Sequence, residues 1–250
     1  MTVPEAIAIA AAGFGAATVN TVVGSGTLIT FPILLAFGYP PVQANVSNTI
    51  GLVPGGLSGT HGYRAELEGQ GRRSVLFGTM SSVGALIGAA LLLTLPASAF
   101  KTIVPFFIAS ALVLIVFQPW LSRRLEARRQ AHRPHGGPWT AAGLLVTGIY
   151  GGYFGAGQGI LLLALLGLAL ADSLQRVNAL KNVLATVTNL VAAVVFTFAA
   201  DVAWGAALLI ALGAVAGGVL GAQVARRLPP TAFRAVIVVV GIAAIVKLTA

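Results

Sequence analysis

The sequence predicts an all-α protein, a polytopic helical bundle embedded in a membrane. Hydrophobic residues make up 57% of the 250 positions and charged residues only 8%, against about a quarter charged in a soluble domain. The apolar residues gather in stretches of about 20, each long enough to cross a hydrocarbon core roughly 30 Å thick at 1.5 Å per helical residue. These runs are continuous and do not alternate, so a barrel of period-two strands is excluded.

Apolar segments fall at 6–37, 43–62, 74–94 and 99–120, and again at 139–170, 176–197, 204–225 and 231–249. Between the two sets lies a linker, 122–138, that carries Arg123, Arg124, Arg128, Arg129 and Arg133. The chain therefore divides into a first membrane repeat (1–121), a basic linker expected in the cytoplasm, and a second membrane repeat (139–250). Residues Met1 to Glu5 hold no basic cluster, so the first apolar segment reads as part of the fold and not as a secretory signal.

The halves resemble each other. Gly84, Gly88, Leu95, Pro96, Phe100 and Lys101 recur as Gly217, Gly221, Leu228, Pro229, Phe233 and Arg234, at one offset (217 − 84 = 133). The same offset maps Asn45, Asn48 and Thr49 onto Asn178, Lys181 and Asn182. Both triplets are spaced i, i+3, i+4 and so occupy one helical face. Near the start of each half, Gly24-Ser25-Gly26 answers Gly155-Ala156-Gly157 at a slightly smaller offset (155 − 24 = 131).

Basic residues orient the repeats. Arg64, Arg72 and Arg73 put the loop after the second segment in the cytoplasm, and Arg226 and Arg227 do the same for their loop. Counting crossings between these loops and the linker requires 139–170 to enter the membrane and return, and 6–37 to do likewise. Each half then holds one glycine-broken hairpin plus three spanning helices, and the halves are inverted. The rival topology, eight simple crossings with parallel halves, leaves Arg226 and Arg227 on the wrong side.

The hairpins are where chemistry is expected. Asn20, Thr21, Gly24, Ser25, Gly26 and Thr27 interrupt the first apolar run, and Gly155, Ala156, Gly157 and Gln158 interrupt its counterpart. Irregular backbone at membrane depth survives only when buried in protein or lining a cavity. Paired broken helices in corresponding positions of two repeats point to a binding site whose helix N-termini offer N–H groups to an anion. The alternative is close packing by small residues, the reading preferred for Gly84, Gly88, Gly217 and Gly221. Asn45, Asn48, Asn178, Lys181 and Asn182, with Thr49 and Asn189 beside them, are costly in hydrocarbon and should face the interior. They serve there either as donors to an anion or as interhelical hydrogen bonds.

The net charge of +9 sits between the apolar stretches, where it orients helices and meets anionic lipid, so no nucleic-acid partner is expected. The acids Glu5, Glu66, Glu68, Glu126, Asp172 and Asp201 all lie at segment ends or in loops, leaving no obvious carboxylate for proton or cation coupling. Cysteine is absent. His132 and His135 lack further ligands, so neither metal nor cofactor is expected, and no nucleophile, base and orienting acid assemble at membrane depth.

Residues Thr27 to Pro32, the turn Gly38-Tyr39-Pro40-Pro41, the Asn45 to Thr49 segment and the stretch Pro54 to Tyr63 resemble the sulfite exporter TauE/SafE family. So do Gly155 to Gly159, Asn178 to Asn182 and the closing block Gly217 to Arg234. The resemblance implies a secondary transporter of sulfur-containing anions, such as sulfite, sulfoacetate or related organosulfonates, in a bacterial inner membrane. The expected partners are then a small anionic substrate and membrane lipid, and a homo-oligomer is compatible. An anion channel, or a membrane assembly protein without flux, are the competing readings.

Overall fold

The computed structural model describes residues 1–127 and 137–224, with 238, 239, 242, 245 and 246. Among these residues there are helices and turns and no strand. In chain order the helices are α1 (Val3–Val22), α2 (Thr27–Ala36), α3 (Pro41–Gly62), α4 (Gly71–Thr94), α5 (Ala97–Ala127), α6 (Pro138–Tyr153), α7 (Gln158–Ala169), α8 (Leu174–Ala199) and α9 (Trp204–Val224). Helix α5 runs on through Ala127, into the stretch read as linker. Most of that linker, including Arg128, Arg129, His132, Arg133 and His135, lies outside the described residues. So do Arg226, Arg227, Leu228, Pro229, Phe233, Arg234 and most of the segment 231–249.

Five helices, α1, α4, α5, α8 and α9, contain stretches long and apolar enough to cross a membrane. Phe106, Val116, Phe198, Leu208 and Leu212 are exposed on the outside of the bundle, a surface that suits lipid and not water. Helix α3 is just as long but less apolar, because Asn45, Ser47, Asn48 and Thr49 line its buried face. Helices α2 and α7 have only 10 and 12 residues, so they extend about 15 and 18 Å and cannot cross.

The short helices fold back. Gln158 at the start of α7 lies against Gly151 of α6, and further along Leu165 lies over Gly143. On the other side Gly26 packs on the Ala16 carbonyl of α1, and its N–H donates to Asn20 Oδ1 at 3.4 Å. Residues 6–37 and 139–170 thus each hold two helices joined by a glycine turn, α1 with α2 and α6 with α7.

The long helices set the direction of these hairpins. Gly213, Gly217 and Gly221 of α9 pack in register on Ala10, Phe14 and Thr18 of α1, and Gly84 and Gly88 of α4 pack on Leu145 and Ile149 of α6. A Cβ at Gly88 or Gly217 would stand 2.1 Å from a partner carbonyl oxygen, so these glycines are packing residues that let backbones touch. Thr18 Oγ1 adds a hydrogen bond to the Gly217 carbonyl at 3.0 Å. Each hairpin therefore packs its first helix on the third segment of the opposite half.

Helices α3 and α8 run antiparallel. At one end Gln43 Nε2 donates to Asp201 Oδ2 at 2.7 Å, and the Ala203 N–H donates to Ser47 Oγ at 2.9 Å. At the other end Gln70 Nε2 donates to the Arg176 carbonyl at 3.1 Å. Asp172 there receives Arg73 and Arg176, each at 2.8 Å. This basic end gathers Arg64, Arg72, Arg73 and Arg176, while Asp201 marks the opposite end. Because Asp172 ties the first turns of α4 and α8 together while partly shielded from solvent, Asp172→Asn is expected to cost about 1–2 kcal/mol. Thermal unfolding in detergent checks this, and an unchanged midpoint would show the cluster to be ornamental.

Candidate functional site

The α1–α2 and α6–α7 hairpins meet at their tips. Gly24 has φ 88°, and Gly155 and Gly157 have φ 74°, the left-handed region that glycine enters without a Cβ penalty. The Gly159 N–H donates to the Gly24 carbonyl at 3.1 Å. A Cβ on Gly24 would lie 2.5 Å from Gly159 Cα, and one on Gly159 would lie 2.4 Å from Gly24 Cα. The tips thus touch backbone to backbone, and no solute fits between these two residues in this conformation.

A helix that ends inside a bundle leaves carbonyls that need donors. At tip one they are the carbonyls of Asn20 and Thr21. Lys181 Nζ donates to both, at 3.1 and 3.4 Å. Asn178 and Asn182 donate to the Thr21 carbonyl at 3.5 and 3.3 Å. At tip two Asn45 Nδ2 donates to the Tyr153 carbonyl at 3.0 Å. Donors on the second segment of each half therefore cap the broken helix of the other half.

The remaining expected residues take local partners. Asn48 Nδ2 donates to Thr27 Oγ1 at 3.3 Å, and its carbonyl oxygen accepts from Thr30 Oγ1. Gln158 Nε2 donates to the Thr147 carbonyl at 3.1 Å, fastening α7 to α6. Thr49 bonds back to the Asn45 carbonyl. Ala156 is buried and apolar, and its carbonyl accepts from the Tyr150 hydroxyl. Asn189 is half-buried further along α8.

Some polar atoms at the tips have no partner among the described residues. Ser25, 1% exposed, keeps its hydroxyl unbonded, and at tip two Asn45 Oδ1 and the Tyr153 hydroxyl are likewise buried and unbonded. Leaving such a group unsatisfied costs about 1–3 kcal/mol. Ser25 stands just before Gly26, the N-cap of α2, at the helix end that carries positive partial charge. Lys181 is 1% exposed and forms no ion pair with any acid among the described residues. Tip one thus gathers a lysine, two asparagine amides and the start of α2 around the broken end of α1.

Sequence reasoning missed several participants. Tyr63 accepts Asn178 Nδ2 at its hydroxyl at 3.0 Å, and Thr30 and Tyr150 hold Asn48 and Ala156. Tyr150 stands six residues before Ala156, across the glycine break, a spacing that means nothing until the turn is known. Phe31, Phe100, Phe107 and Phe154 crowd around tip two, with ring centroids 5.2 Å apart for Phe31 and Phe154 and 5.1 Å for Phe107 and Tyr150. Tip one has no such collar of rings among the described residues. In the same residues, no group of three or more His, Cys, Asp or Glu could hold a metal ion.

The model of the sulfite exporter TauE/SafE family matches residues 9–248. The chain belongs to that family. It is similar to a probable membrane transporter protein of Haemophilus influenzae, 26% identical over 91% of this chain and 88% of the relative. It is also similar to the probable membrane transporter protein ORF9 of Sinorhizobium sp, 28% identical over 96% of this chain and 90% of the relative. No solved structure matches. As a TauE/SafE member with five apolar helices of spanning length among the described residues, the chain is a multi-pass membrane transporter, and the touching hairpins are its most distinctive feature there.

Proposed function

We propose that this transporter is a secondary carrier of sulfur-containing anions, sulfite, sulfoacetate or a related organosulfonate, across a bacterial inner membrane. The observation that carries the reading is Lys181, a buried cation without an acid partner among the described residues, placed against the Asn20 and Thr21 carbonyls at the end of a broken helix. An isolated charge in a membrane interior is expensive and marks a functional position, and an oxyanion is the partner it lacks. The halves act as inverted repeats, a reading supported by the antiparallel α3 and α8 and by the reciprocal packing of α1 on α9 and α6 on α4. The basic end faces the cytoplasm. The tips part to admit the anion from one side, close over it, and part toward the other. Lipid surrounds the bundle as solvent.

Purified protein in proteoliposomes should move labelled sulfite or sulfoacetate with saturable kinetics. In a thermal-shift series of sulfite, thiosulfate, sulfate, sulfoacetate, taurine and acetate, one or more of the sulfur anions should raise the unfolding midpoint and acetate should not. Protein that moves and binds none of them sinks the reading. Ser25→Ala removes one hydroxyl from tip one without adding bulk, so it should weaken anion binding about tenfold and leave the apo midpoint unchanged or slightly raised.

A further inference from the structure

A cavity of about 330 Å³ opens at the basic end of the bundle, between the last turns of α3 and α9. Its polar walls are Ser58, His61, Arg64 and Gln223, and no acidic residue lines it among the described residues. Arg73 and Arg176 share Asp172, but Arg64 has no carboxylate partner among those residues. Its Nη1 lies 3.4 Å from His61 Nε2, so a guanidinium and an imidazole face the same space. The end of α3 does not require this guanidinium: the His61 and Thr60 carbonyls already accept the N–H groups of Arg64 and Tyr63. Positive-inside orientation does not require it either, because Arg72 and Arg73 stand in the same loop region.

The cavity lies close to the tips. Gly59, one turn before Gly62 in the cavity wall, packs on Thr21, and a Cβ there would lie 2.6 Å from Thr21 Oγ1. Thr21 is the residue whose carbonyl receives Asn178, Lys181 and Asn182. One turn of α3, from Gly59 to Gly62, therefore links the cavity wall to Thr21 at tip one.

We infer that this cavity is a separate oxyanion site, in which Arg64 and His61 hold one sulfonate-, sulfite- or phosphate-type group at the inner mouth. The group is presented by the transported solute or by a lipid headgroup. The connection to transport rests on the carrier reading above, but occupancy of the cavity does not. A charged site at a mouth concentrates its ligand and speeds encounter, and salt screens that effect.

The test compares wild type, Arg64→Gln and Arg64→Lys in vesicles of phosphatidylcholine alone and in vesicles that also contain phosphatidylglycerol. Initial rates of labelled sulfite flux are read from the basic side, beside a thermal-shift titration with sulfite. Arg64→Gln should raise the half-saturating sulfite concentration on that side about tenfold and flatten its salt dependence, with the maximal rate within about twofold. Arg64→Lys should recover most of the loss. A defect in phosphatidylcholine alone assigns the site to the solute, whereas one confined to phosphatidylglycerol vesicles assigns it to a headgroup phosphate. Unchanged half-saturation in both, or a fall in maximal rate alone, overturns the proposal. If wild type moves no sulfur anion, the carrier reading fails. The cavity is then judged by whether sulfite or phosphatidylglycerol raises the midpoint of wild type and not that of Arg64→Gln.

Discussion

Lys181→Met is expected to reduce anion transport by roughly 100-fold while leaving a folded, inserted protein. Methionine nearly matches the length of the lysine side chain but brings neither charge nor donors. In the wild type the ammonium does two things. It satisfies the Asn20 and Thr21 carbonyls at the broken end of α1, and it gives tip one a positive charge that no acid among the described residues cancels. The structural loss is limited, because Asn178 and Asn182 still donate to the Thr21 carbonyl. Only the Asn20 carbonyl loses the donor supplied by α8, at a cost of about 1–3 kcal/mol. The functional loss is larger, because a charge-assisted contact to an anion is roughly twice as strong as a neutral hydrogen bond. Flux in proteoliposomes beside thermal unfolding separates the two. Transport within about threefold of wild type would mean that the charge only braces α1, and the carrier reading would lose its main support.

Much of this arrangement is legible in the sequence, for identifiable reasons. The spans are legible because hydrocarbon demands about 20 apolar residues in a row. The breaks at Gly24 to Gly26 and Gly155 to Gly157 are legible because glycine and polar residues in such a run have few other uses. The i, i+3, i+4 spacing places Asn178, Lys181 and Asn182 on one face, and all three reach the same helix end. What that spacing does not reveal is the acceptor. The donors of one half serve the carbonyls of the other, a tertiary relation between residues 157 to 161 positions apart. The tip-to-tip contact is equally hidden, since any glycine pair in two breaks has the same local signature whether it lines a cavity or touches. Nor does the offset that aligns the halves disclose their inequality. Ser25 faces Ala156 in the alignment, and only the fold shows aromatic rings gathered around one tip while a lysine and two asparagines hold the other.

That inequality makes the Gly24–Gly159 contact the most informative place to disturb. Gly159→Ala should destabilise the protein by about 1–3 kcal/mol, the usual cost of forcing one methyl group into a filled space. Coupled anion exchange should fall at least about tenfold. The new Cβ would meet Gly24 Cα at 2.4 Å, and backbone cannot swing aside as a side chain can. The tips must separate, and the Gly159 N–H then loses the Gly24 carbonyl. A carrier needs a state closed to both sides, so parted tips should also admit a slow leak of anion down its gradient. Gly24→Ala meets the same obstacle at 2.5 Å and adds the strain of a left-handed residue at φ 88°, about 1–2 kcal/mol. It should therefore be the less stable of the two, with the same transport defect. Gly15→Ala is the control. A methyl group added there, on α1, would have nothing within 4 Å, and the variant should be neutral or more stable by about 0.5–1 kcal/mol. If Gly159→Ala matches wild type in midpoint, exchange and leak, the tips do not meet in the working protein. Closure must then come from another pair of surfaces, and the role given to the broken hairpins fails with it.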